Sequence, residues 1–70
     1  MIKYNIEIID GHGYHTKEIV SDSFYVQNSA YYFYNIIKIN PDSGYPKTEN
    51  KSVFISPVER TVITNIEEIN

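Results

Sequence analysis

The run Tyr31-Tyr32-Phe33-Tyr34, continued by Ile36, Ile37 and Ile39, constrains this chain more than any other segment. Drawn out as a strand, it carries aromatic rings on both faces, because successive side chains point to opposite sides of the pleat. Tyr31 and Phe33 then share one side with Ile37 and Ile39, and Tyr32 and Tyr34 share the other with Ile36. A chain of 70 residues has one small core, and one such face fills much of it. The other face must be covered by a second segment of the chain, by another copy, or by a partner. Sequence alone leaves open which face is which. A helix is the main rival for Ala30 to Ile39, but tyrosine and isoleucine favour a strand there.

The remaining segments are shorter. Ile2 to Ile8 alternates apolar and polar residues, the period of a strand with Ile2, Tyr4, Ile6 and Ile8 pointing inward. Asp10-Gly11-His12-Gly13 suits a hairpin turn, and a poorly alternating second strand runs from about Tyr14 to Val20, as an edge or a strongly bent strand. Ser21-Asp22-Ser23 and Gln27-Asn28-Ser29 are turn-rich patches around a short apolar run, Phe24-Tyr25-Val26. Pro41 to Lys51 reads as the longest loop, Ser52 to Ser56 as a short strand, Pro57 to Arg60 as a tight or 3₁₀ turn, and Thr61 to Ile69 as the last strand. In that last strand Val62 and Ile66 are the expected buried side.

This spacing predicts one all-β domain over residues 1–70: a five-stranded, strongly bent antiparallel meander that closes as a barrel. It looks like an SH3-like or Sm-like barrel, in which the last strand returns beside the first and no sticky edge is left open. Such a likeness carries no function with it.

Composition narrows the chemistry. There is no cysteine, so neither a disulfide framework nor a thiolate metal site is available. Stability has to come from packing, or from packing joined to self-association. The chain opens on an alternating strand pattern rather than on a leader, and no stretch approaches the roughly 18 apolar residues of a membrane span, so a soluble, cytoplasmic protein is expected. A net charge of −3, a single arginine at position 60 and scattered lysines argue against a grip on long nucleic acid.

Candidate catalytic groups are sparse. His12 and His15 sit with Asp10 and Glu18 around the first hairpin, but His-x-x-His on a turn has no established ligand geometry and a third ligand is missing. An exposed turn is the simpler reading. No serine stands in a Gly-x-Ser-x-Gly context, Gly11 and Gly13 lack the lysine and helix of a phosphate loop, and Glu67 and Glu68 point to opposite sides of a strand. No enzyme, cofactor or metal is expected.

Tyrosine, in contrast, is amphipathic, loses little conformational entropy on immobilisation and is enriched at binding hot spots. The expected partner-binding residues are Tyr31, Tyr32, Tyr34, Tyr45 and Lys38, on the tyrosine strand and the long loop. They point to a protein partner and to self-association. The alternative is a small nucleotide, cyclic or linear, with Tyr32 or Tyr34 stacked on a base and Lys38 or Arg60 near a phosphate; a further one is a barrel that binds single-stranded nucleic acid.

A bias towards Ile, Asn, Lys and Tyr is what AT-rich codons produce. In size, acidity and composition, with no shared motif, the chain resembles small early and anti-defence proteins of phages infecting low-GC bacteria. That resemblance implies an inhibitor that binds a host protein in the host cytoplasm, or a sponge for a signalling nucleotide. It assigns no residue a role.

Overall fold

Alternation at the start of the chain becomes strand β1 (Ile2–Asp10), with Tyr4 and Ile6 buried and Ile2 and Ile8 packed against them. In the computed structural model, which describes residues 1–40 and 44–69, every other element but one is also a strand. The order is β2 (Gly13–Ser21), β3 (Ser23–Gln27), β4 (Ala30–Ile39), β5 (Lys47–Pro57), a 3₁₀ turn at Val58–Arg60, and β6 (Thr61–Glu68). Among the described residues no helix is long and apolar enough to cross a membrane.

The fold is all-β and antiparallel, but its strands form two three-stranded sheets, ordered β2-β1-β6 and β3-β4-β5, instead of a five-stranded closed barrel. The sixth strand is β3, which contains Phe24-Tyr25-Val26. It pairs with β4 through a two-residue turn, Asn28-Ser29, in which both residues hold positive φ of 51° and 60°. That backbone shape matches the twist of a hairpin and pulls a short apolar run into a ladder.

Asp22 makes the corner between the sheets. Its N–H donates to the Tyr34 carbonyl at 3.1 Å and to Asn35 Oδ1 at 3.0 Å, and its Oδ2 accepts the Ile36 N–H at 2.7 Å. A strand interrupted in this way leaves one sheet and enters the other. At the opposite seam β5 and β6 are joined by the 3₁₀ turn and lie in different sheets, so the barrel stays open.

Phe33, fully buried, is the hub of the core. Its ring lies 5.1 Å from Tyr4, 5.6 Å from Phe24, 6.3 Å from Tyr31 and 6.4 Å from Phe54. Ile6 and Ile19 complete the buried apolar set. Among the described residues three polar ones are buried as well: Ser21 Oγ donates to the Ser23 carbonyl and Thr61 Oγ1 to the Pro57 carbonyl, whereas Ser56 Oγ has no partner.

Two further expectations are corrected. The loop expected from Pro41 to Lys51 is shorter, since Lys47 to Lys51 belong to β5 and pair with Asn35 to Ile39 of β4; Pro41, Asp42 and Ser43 lie outside the described residues. The polar sequence there reads as loop because that part of the ribbon extends past the core and needs no buried face. In β6, Val62 and Ile66 are both exposed, while Thr61 is buried and Ile63 packs on the core. A bulge turns Val62 outward, whereas Ile66, opposite buried Tyr4, keeps the inward parity and is still 56 % exposed. Asn5 pairs with Asn65 but Ile6 pairs with Ile63, so Thr64 is an extra residue, its Oγ1 donating to the Asn5 carbonyl at 3.0 Å. One extra residue flips the parity of everything beyond it.

Candidate functional site

The pleat of β4 decides which aromatics are structural. Tyr31 and Phe33 face the other sheet, where Tyr31 packs edge-on against Phe24 at 5.7 Å. Tyr32 and Tyr34 face away from it. Register then adds neighbours to them: Tyr25 of β3 lies opposite Tyr32 on one side and Ile55 of β5 on the other. The Tyr25 and Tyr32 rings stack with centroids 5.0 Å apart and an interplanar angle of 6°, and Tyr34 closes on Tyr25 at 5.4 Å, tilted by 56°. A bulge between Phe33 and Tyr34 sets Tyr34 opposite Ser52 and leaves Val53 as the extra, exposed residue. The outer face of this sheet is therefore a row of three tyrosines flanked by exposed Ile55 and Ile36.

Of the residues singled out in the sequence, Tyr32 and Tyr34 come together on this face and Tyr31 lies on its reverse side, among the core aromatics. Lys38 has the same strand parity as Tyr34 but stands four residues further out, about 13 Å along the strand. Tyr45 is 92 % exposed beyond the last β4–β5 pair, Ile39↔Lys47, roughly 20 Å or more from Tyr32, and takes no part in covering the face. Tyr25 and Ile55 are the members the sequence reading missed. Counting outward from a two-residue turn at Asn28-Ser29 pairs Tyr25 with Tyr32, so the signal was present in the turn.

Charged groups gather elsewhere. At the first hairpin Asp10 Oδ1 accepts the His12 N–H at 2.7 Å and Oδ2 stands 2.5 Å from His15 Nε2. The His12 N–H, and after it the His15 ring, hold the Asp10 carboxyl below the usual carboxylate range. Glu18 does not join this group; with Glu67 it takes Lys3 Nζ, each at 3.3 Å, and the two carboxylates raise the lysine's pKa. Among the described residues no three His, Asp or Glu side chains converge in the manner of a metal site.

Between those groups an open depression of about 470 Å³ is lined by Asn5, Ile6, Thr16, Lys17, Glu18 and Thr64. Its glutamate is held by Lys3, and the Lys17 ammonium lies 4.7 Å from the Phe54 ring centroid. Burial pushes the Tyr4 phenol above its ordinary value, as expected for a hydroxyl in the core. The arrangement with the clearest chemical capacity is thus the aromatic face, which can bury area and donate hydroxyl hydrogen bonds at once. No protein family, characterised protein or solved structure matches the chain.

Proposed function

We propose that the protein is a non-enzymatic binding protein, of the phage-type inhibitor class, that docks on a host protein through the outer face of the β3-β4-β5 sheet. The observation that carries this reading is the Tyr25-Tyr32-Tyr34 row with Ile36 and Ile55 beside it, on the side of the sheet turned away from the core. Contiguous apolar and aromatic surface of this kind marks interaction sites, and tyrosine anchors are rigid enough to lose little entropy when covered. The strand order, with a bent segment at Asp22 and a 3₁₀ turn before the last strand, resembles an opened SH3-like barrel in topology, a likeness that by itself carries no function.

Geometry ranks the nucleotide sponge and the single-stranded nucleic-acid binder lower. Tyr25 and Tyr32 already stack on each other, which occupies the slot a base would enter. Lys38 lies about 13 Å from Tyr34 along the strand, and Arg60 belongs to the 3₁₀ turn, where its charge acts on Asp10.

The test is a pull-down from a low-GC bacterial lysate with the wild-type chain, Tyr32→Ala and Tyr34→Ala, all checked for folding by far-UV circular dichroism. The expected result is a protein retained by the wild type and lost from both folded variants. Retention of the same protein by both variants, or a rise in melting temperature with a cyclic nucleotide, sinks the reading.

A further inference from the structure

Beyond the Asp22 corner the β4–β5 ladder runs on without a third strand. β3 pairs with β4 only as far as Ser23↔Tyr34, whereas β5 follows β4 out to Ile39↔Lys47. A lone two-stranded ribbon is marginal in water. This one leaves Ile36, Ile37 and Ile39 exposed at 52 %, 41 % and 37 %. The whole molecule exposes 5305 Å², about 800 Å² more than the roughly 4,500 Å² expected of a compact monomer of its mass. Its radius of gyration is 14.7 Å, against about 11 Å for a compact domain of this length. A standard-size interface removes about 800 Å² from each partner.

The register says what fits there. Ile37 lies opposite Glu49 and Ile39 opposite Lys47, so one face of the ribbon carries two isoleucines on β4 beside a glutamate and a lysine on β5. Consider a two-fold axis across the ribbon, midway between those two levels. It lays Ile37 over the partner's Ile39, and Glu49 over the partner's Lys47, with each contact repeated by symmetry. Moving the axis by half a level would stack Glu49 on the partner's Glu49. Moving it a full level towards the core would keep an opposite-charge pair, Glu49 over the partner's Lys51, but set Ile37 over the partner's Asn35, so charge and apolar matching together select this register. Lys47 and Lys51 along the outer strand also discourage a simple edge-to-edge extension of the sheet.

We propose that a second copy of this chain docks face to face on the distal β4–β5 ribbon, forming a two-fold dimer centred between the Ile37–Glu49 and Ile39–Lys47 levels. The tyrosine face lies nearer the core on the same sheet, so dimerisation stands or falls apart from host-protein binding. The dimer orders a ribbon that the core cannot reach.

Sedimentation equilibrium of the full chain at high micromolar concentration is expected to give twice the 8.2 kDa of one chain. Glu49→Lys alone, or Lys47→Glu alone, replaces two attractive contacts with two like-charge contacts and weakens the dimer by about tenfold or more. The double variant Lys47→Glu with Glu49→Lys restores it, because the exchanged charges meet again across the axis. A wild type that stays monomeric, or a double variant as weak as the singles, overturns the proposal. Far-UV circular dichroism of each variant separates loss of assembly from loss of fold.

Discussion

Replacing neighbouring residues of β4 by alanine puts the assignment of its two faces to a quantitative test. Phe33 is fully buried and touches four aromatic rings, so Phe33→Ala removes its burial and leaves a cavity, a loss of about 3–5 kcal/mol. Tyr32 has one stacked partner, worth about 0.5–1.5 kcal/mol, and loses at most about 1 kcal/mol more in strand preference. A domain of this length holds roughly 3.5–10 kcal/mol in total. Tyr32→Ala should therefore stay folded, while Phe33→Ala should lose about a third or more of the total stability and unfold outright if that total lies at the low end of the range. Urea titration followed by circular dichroism reads both. With a slope of about 1 kcal/mol per molar urea, the Tyr32→Ala midpoint falls by about 1–2 M. Equal losses for the two variants, or a larger loss at Tyr32, would refute the assignment of Tyr32 to the outer face.

Ser56→Ala removes a buried hydroxyl with no partner, so it should leave the urea midpoint unchanged or raise stability by up to about 1 kcal/mol; a loss above that would mean the hydroxyl is satisfied. Ser29→Gly relieves a left-handed residue in the β3–β4 turn and should raise the thermal midpoint through a gain of about 1 kcal/mol, and a fall would contradict the turn geometry. The Asp10 carboxyl is depressed in the folded state by the His12 N–H and the His15 ring, so its stabilisation is present above its unfolded pKa of about 3.9 and is lost as pH falls through the lower folded value. Asp10→Asn should thus be less stable than wild type at pH near 6, with the gap closing in acid below about 4; a gap that persists in acid would assign the effect to something other than this charge.

How much of this could be read from residues alone depended on whether one face of a segment is buried. In β1 the alternation named Ile2, Tyr4, Ile6 and Ile8 correctly, because a single buried face imposes period two on the sequence. The bounds of β4 were legible for a similar reason: a dense apolar run stops at Pro41-Asp42. Val62 misled because a bulge at Thr64 changes which parity faces inward, and a bulge leaves no pattern in one strand considered alone; Ile66 has the inward parity, opposite Tyr4, but is left uncovered. Lys47 to Lys51 misled because a ribbon outside the core has no buried face to write into its sequence. For the candidate site, Tyr32 and Tyr34 followed from their strand, but choosing between them and Tyr31 needed the partner strands. Tyr25 and Ile55 came only with the register.

Met1 and Ile69 end side by side, the Ile69 N–H donating to the Met1 carbonyl at 3.0 Å, and β1 and β6 run antiparallel from that point. Tension applied to these two residues would not shear the ladder as a block. It would load the Met1–Ile69 bond first, then the Ile2–Glu68 pair, then the Lys3–Glu67 pair with its ion bridge, one step after another. Antiparallel strands gripped at the same end unzip under small force, whereas strands gripped at opposite ends resist until many bonds fail together. The seam between β1 and β6 is accordingly the mechanically soft line of the molecule, and a pulling device or a processive unfoldase that engages β6 from Ile69 would peel that strand away while the β3-β4-β5 sheet is still intact.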